Sequence, residues 1–134
     1  MALYALNLFD LAGNDSYRQY SRRSAEAVDK HGGRVVALGQ LDGVQKGEPE
    51  TEPRTVMVLV EWPSRESFQA FLDDPEHAEL HPLREEGTRN YLWWIYERLE
   101  DLRPLFGDAY ERAGGEPYPG DRRFVRVARA IDGG

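Results

Sequence analysis

The chain contains no cysteine among its 134 residues. That absence excludes disulfides, thiolate nucleophiles and cysteine-ligated metals. Lysine is nearly absent too: Lys30 and Lys46 are the only two, so arginine supplies almost all of the 17 basic residues. That bias points to a GC-rich bacterial genome and carries no mechanism. No stretch approaches the roughly 20 apolar residues of a membrane-spanning helix. The opening MALYALNLFD lacks the basic and long apolar segments of a secretory leader. The expectation is a soluble cytoplasmic protein with no membrane partner. With 24 acidic residues the net charge is −7. Phosphate binding needs a positive field, so no nucleic-acid partner is expected.

The chain does have enough apolar material for one core. Some 40% of its residues are hydrophobic, with three Trp, seven Tyr and five Phe. A single domain of this size needs no metal or covalent staple.

Hydrophobic periodicity divides the chain into two similar halves. Residues 3–10 alternate as a strand, with Leu3, Ala5, Asn7 and Phe9 on one face. Asn14 or Asp15 is placed to cap a helix in which Tyr17, Tyr20, Ser24, Ala27, Val28 and His31 share a face. Gly32-Gly33 ends it, and residues 34–42 make a second strand. Residues 43–53, GVQKGEPETEP, read as an exposed hairpin loop. Residues 55–62 are apolar on both faces and read as a central strand. Pro63-Ser64 opens a second helix that buries Phe68, Phe71 and Leu72, and Asp74-Pro75 interrupts it. Pro82 threatens a second break. Residues 89–97 form a fourth strand with large apolar side chains on both faces.

Two β-α-β halves imply an α+β, ferredoxin-like β-α-β-β-α-β domain, with an antiparallel sheet and two helices on one face. That domain is expected to span 1–99. Residues 100–134 are expected to form a C-terminal extension: a short helix, a Gly/Pro loop and a possible edge strand at 123–131. Helices on one side leave an apolar sheet face that water does not tolerate, so a homodimer is expected.

Candidate chemistry gathers in the second half. His77, His81 and Arg84 stand at i, i+4 and i+7, one face of an unbroken helix. Two histidines so spaced can bind a metal, but no third ligand is evident, and no metal site is expected. Glu61 ends an apolar strand, where a carboxylate needs exposure, a partner or a shifted pKa. Arg84 is the candidate partner, since a guanidinium meets a carboxylate bidentately. Asn7, Tyr17, Tyr20, Trp62, Phe68 and Phe71, with His77, are candidate lining residues for a small-molecule cavity between sheet and helices. The alternative is plain core packing. No nucleophile elbow, phosphate loop or dinucleotide fingerprint is present.

The segments His31-Gly32-Gly33-Arg34, Glu61-Trp62-Pro63-Ser64, Phe68, Asp74-Pro75 and Leu83-Arg84 resemble the dimeric α+β barrel superfamily. Within it they resemble the domain-of-unknown-function family 1330, over roughly residues 3–97. The resemblance implies a homodimer whose sheets form a barrel. A second resemblance is to antibiotic-biosynthesis and haem-degrading monooxygenases. It implies that Asn7 and His81 match a haem-site Asn and the iron-ligating His, with Phe71 where those enzymes carry Trp.

The leading expectation is therefore a small-molecule enzyme without a bound cofactor. Glu61, His81 and Arg84 would handle protons and anionic charge. Cyclisation, isomerisation and cofactor-free oxygenation all occur among relatives in that superfamily. A haem monooxygenase using His81, and a non-catalytic binding dimer, are the alternatives.

Overall fold

The computed structural model describes residues 1–48, 50 and 52–107. The chain divides into two units, Met1–Arg98 and Leu99–Gly134. The first carries β1 (Leu3–Leu11), α1 (Ser16–Lys30), β2 (Arg34–Gln40), β3 (Val56–Trp62), α2 (Arg65–Asp73), α3 (Pro75–Ala78), α4 (His81–Gly87) and β4 (Thr88–Glu97). In the second, the described residues hold one 3-10 turn, Arg103–Leu105. There the Asp101 carboxylate accepts hydrogen bonds from the Arg103 backbone and guanidinium. The edge strand expected at 123–131 lies outside the described residues. No helix among the described residues is long and apolar enough to cross a membrane.

The four strands form one sheet in the order β2-β3-β1-β4, every neighbouring pair antiparallel. This is the α+β, ferredoxin-like arrangement that the two β-α-β halves imply. Alternation along each strand assigns the faces. Leu3, Ala5, Asn7 and Phe9 of β1 are buried and pair with Trp62, Val60, Val58 and Val56 of β3. Trp62, Phe68 and Phe71 make the aromatic centre of the core, with Trp62 ring centroids 4.7 Å from Phe71 and 5.5 Å from Phe68. The opposite face presents Leu6, Leu59 and Trp94 in register. None of α1–α4 lies on it, and Trp94 and Tyr96 are 47% and 49% exposed.

Local sequence sets the breaks. Gly32 adopts φ +81°, a conformation that favours glycine, and a Cβ on Gly33 would sit 2.8 Å from the Trp62 ring. The Ser64 hydroxyl accepts the Ser67 N–H at 3.0 Å and caps α2. The second helical region divides into three pieces. Asp74 ends α2 in an extended conformation and caps α3, its carboxylate accepting the Glu76 N–H at 2.9 Å. Pro82 does not break a helix. It occupies the first turn of α4, where backbone N–H groups have no intrahelical partner to lose.

Asp10 ties the sheet's far end together. Its carboxylate accepts from Thr55 N and Oγ1 at 2.9 and 3.0 Å, and from Asn90 Nδ2 at 2.9 Å. Asn90 has φ +55° where the β1–β4 register shifts. Asparagine tolerates that conformation better than other side chains.

The α1–α4 contact depends on Gly87, buried at the end of α4. A Cβ there would sit 2.4 Å from the Tyr17 amide nitrogen. Backbone cannot yield as a side chain can. Gly87→Ala is expected to cost about 1–3 kcal/mol, read as a lower urea midpoint. Gly43→Ala, with nothing within 4 Å of its Cβ, is expected to leave the midpoint unchanged.

Candidate functional site

Between α1 and the sheet lies a cavity of about 860 Å³. Its floor is Ala5 and Asn7 of β1 with Val58 and Val60 of β3; Tyr17, Tyr20, Ser24 and Val28 of α1 form its roof. Tyr91 and Trp93 close one side, and Val35 and Leu38 of the edge strand β2 line the other. Leu38 is 72% exposed. The volume falls within the roughly 300–1,000 Å³ of small-molecule sites.

Polar groups converge at the β4 side. Asn7 is buried, and its Oδ1 accepts a hydrogen bond from the Tyr91 hydroxyl. Its Nδ2 donates to the Val58 carbonyl at 3.2 Å. A flipped amide would set Oδ1 against the Val58 carbonyl, acceptor against acceptor, so the network fixes its orientation. Tyr91 stacks on Phe9 at 5.0 Å, Phe9 meets Tyr17 at 4.8 Å, and Tyr17 meets Tyr20 at 5.5 Å. Burial pushes the Tyr17 phenol up to about 12 and raises Tyr20 and Tyr91 as well. All three remain neutral hydrogen-bond donors at physiological pH.

Behind Tyr20 sits His77, fully buried, with Nε2 3.3 Å from the Tyr20 hydroxyl. Its ring lies 3.8 Å from that of Phe71 and 5.0 Å from that of His81. Burial first, then His81 and Arg84, lowers His77 to about 4. Burial, then Arg84, also lowers His81. Both imidazoles are therefore neutral at pH 7, and Arg84 carries the charge of this cluster. Its side chain is 13% exposed, and its guanidinium lies 5.2 Å from the Trp93 ring centroid and 5.5 Å from that of Tyr91. Both distances fall within cation–π range. A smaller cavity of about 390 Å³ opens beside it, lined by Arg84, Thr88, Asn90, Tyr91 and Trp93, with Glu85 and Arg89. His77 Nδ1, His81 Nε2, Arg84 Nη1 and the indole nitrogens of Trp62 and Trp93 are buried with no hydrogen-bond partner among the described residues.

The candidates from sequence separate into three places. Asn7, Tyr17, Tyr20, Trp62 and Phe71 line the large cavity. Phe68 packs against Trp62 in the core, and His77 stands behind Phe71 and Tyr20. His81 and Arg84 stay together near His77 although the chain breaks at Leu80, because the Arg84 amide still reaches the Leu80 carbonyl at 3.2 Å. Glu61 is elsewhere. It lies between Val60 and Trp62, both turned to the helices, so alternation turns it to the opposite face. There it pairs with Arg34 at 2.7 Å and Arg98 at 3.2 Å. The pair expected between Glu61 and Arg84 is not formed. Tyr91 and Trp93, absent from the sequence candidates, complete the site.

Among the described residues no group of three or more His, Asp or Glu is disposed to hold a metal ion. The haem assignment does not fit this geometry. Asn7 opens on the large cavity with its amide engaged, whereas His81 lines neither cavity and its Nε2 is buried. The two do not converge on one space.

A family model for a domain of unknown function, DUF1330, matches residues 2–97. The chain belongs to the DUF1330 family. No curated protein matches the chain. Among solved structures, a protein of unknown function from Rhodopseudomonas palustris, RPA0582, is 23% identical, with TM-score 0.66 over 75% of this chain and 84% of that one. SnoaB, a cofactor-independent oxygenase from Streptomyces nogalater, is 14% identical, with TM-score 0.54 over 76% and 97%. A dimeric ferredoxin-like protein of unknown function from Jannaschia sp. CCS1 is 15% identical, with TM-score 0.51 over 73% and 100%. At these identities the likeness is one of fold.

The buried imidazole gives this DUF1330 chain a defined acid response. His77 titrates at about 4 in the folded chain against an ordinary 6.5. Between those values the unfolded chain binds the proton and the folded chain does not. Stability is therefore lost as pH falls from 6.5 to 4, by roughly 3 kcal/mol. His81 adds a loss of the same sign. Asp74, held below its ordinary 3.8 by His31, the Glu76 amide and Lys30, loses its contribution only below that window. The Tm of the wild type is expected to fall between pH 7 and about pH 4.5, and that of His77→Phe to fall measurably less. Parallel curves for the two proteins would contradict the buried neutral imidazole.

Proposed function

We propose that the protein is a homodimer that binds an apolar or aromatic metabolite in the large cavity. It converts that ligand without a cofactor, as a tailoring enzyme of the cyclase or isomerase type acting by proton transfer, or of the monooxygenase type with dioxygen as the oxidant of the deprotonated substrate. The observation carrying this reading is the cavity itself: a site of ligand size with largely apolar walls, where Asn7 and the phenols of Tyr17, Tyr20 and Tyr91 lie together on the β4 side. SnoaB, named a cofactor-independent oxygenase, has this fold, which makes the chemistry compatible and decides nothing alone. The dimer rests on the apolar sheet face bearing Leu6, Leu59, Trp94 and Tyr96. A second copy covering it removes that surface from water.

The site's own groups define what it can do. Neutral Tyr17 donates to a substrate carbonyl or phenol oxygen, while Tyr20 directs its one proton to His77. As negative charge develops on that oxygen, the nearby Arg84 field stabilises it; the same field lowers the pKa of both phenols against the larger effect of burial. His77, hydrogen-bonded to Tyr20, is the neutral acceptor for a proton relayed through that hydroxyl. The aromatic walls hold a planar ligand. Glu61, on the other face with two arginines, takes no part.

The test uses 2-naphthol as binding probe and 2-tetralone as an enolisable substrate. Saturable quenching of Trp fluorescence by 2-naphthol is expected, together with protein-dependent deuterium incorporation into 2-tetralone from heavy water. Tyr20→Phe is expected to retain binding and slow exchange on the order of 100-fold. Binding without exchange would identify a non-catalytic binding protein. Absence of saturable binding would overturn the reading.

A further inference from the structure

We propose that the smaller cavity is a second binding site, specific for a small aromatic monocarboxylate whose acid group is seated on Arg84. The first observation is a buried charge without a balancing partner. The one acid within ion-pair range of Arg84 among the described residues is its chain neighbour Glu85, 3.7 Å away on a side chain 75% exposed to solvent. Such a pair contributes little. The carboxylate that sequence suggested as partner, Glu61, is committed to Arg34 and Arg98 on the other face. Asp10, near the same end of the sheet, is occupied by Thr55 and Asn90. Tyr17, Tyr20, His77 and His81 around the guanidinium are neutral and offer it no counter-charge.

The second observation is the wall of the cavity. Arg84 and Arg89 against Glu85 give it an excess of one positive charge. Arg84 Nη1 and Trp93 Nε1, buried N–H donors of two of its lining residues, have no acceptor among the described residues. A carboxylate drawing the guanidinium a short way into the cavity would supply two oxygens to the fork and end the imbalance. A single excess charge matches a monoanion; a doubly charged phosphate would need more. The Tyr91 and Trp93 rings flank the space, and about 390 Å³ suits a ligand the size of one aromatic ring. Both rings also line the large cavity, so an occupant here sets the wall against which the first ligand packs.

The experiment is calorimetric titration of the full chain with benzoate and with its neutral isostere benzamide, at low ionic strength. The proposal expects one benzoate per protomer, bound at least about tenfold more tightly than benzamide. Arg84→Met is expected to erase that preference while keeping a Tm no lower than wild type, since it removes an uncompensated buried charge. Arg84→Lys, which keeps the charge and loses the fork, is expected to retain only part of it. Ala25 of α1 also lines the large cavity; Ala25→Trp crowds that cavity and is expected to leave benzoate binding intact. Equal affinity for benzoate and benzamide, or no binding of either, overturns the second site and leaves the large-cavity reading to its own probes. Loss of benzoate in Ala25→Trp overturns it by placing the acid in the large cavity. An undiminished preference in Arg84→Met overturns it by removing Arg84 from recognition.

Discussion

A four-stranded sheet with apolar side chains on both faces, and helices for only one, is the constraint from which the rest of this molecule follows. The strands alternate, so every residue on β1 and β3 must answer to one side or the other. Leu3, Ala5 and Phe9 answer to the helices, while Leu6 and Leu8 answer to whatever lies opposite. Even the covered face is not filled. Trp62, Phe68 and Phe71 pack solidly under α2, but α1 stands off β2 and leaves the cavity. The sheet thus has a packed quarter, an open pocket and an apolar reverse side, and the functional reading assigns a job to each.

The pocket's chemistry comes from burial more than from charge. Phenols that would be ordinary on a surface are held neutral, and two imidazoles are kept from protonating in the acid range where free histidine would charge. The one full charge in the cluster, Arg84, lies on aromatic faces rather than on a carboxylate. A site built this way donates hydrogen bonds and stabilises negative charge. In the proposed reaction it would serve a substrate whose own oxygen becomes anionic. The acid sensitivity of His77 is the stability cost of keeping that neutral imidazole behind Tyr20.

Much of this is legible in the chain because local rules decide it. Period-two alternation marks the strands, Gly32-Gly33 and Asp74-Pro75 mark the stops, and spacing alone places Tyr17, Tyr20 and Ser24 on one side of α1. His77, His81 and Arg84 gather as helical spacing implies, although the helix is broken between them, because Pro82 opens a new turn instead of ending an old one. Other features are set by pairing register, which sequence does not display. Glu61 meets Arg34 because those residues are opposite across β2 and β3. Tyr91 and Trp93 are large residues on an edge strand that is apolar on both sides, so nothing in their own neighbourhood says which side faces the cavity. Only the pairing of Trp93 with Asn7 decides it.

The claim that the two faces have separate roles, one for a ligand and one for a second copy, is tested most directly by the native mass of the purified chain. The account predicts a species at twice 15.4 kDa that dissociates when Leu6→Asp places a charge in the centre of the reverse face. A monomer at 15.4 kDa in the wild type would leave Trp94 and Tyr96 in water without a partner and would contradict it.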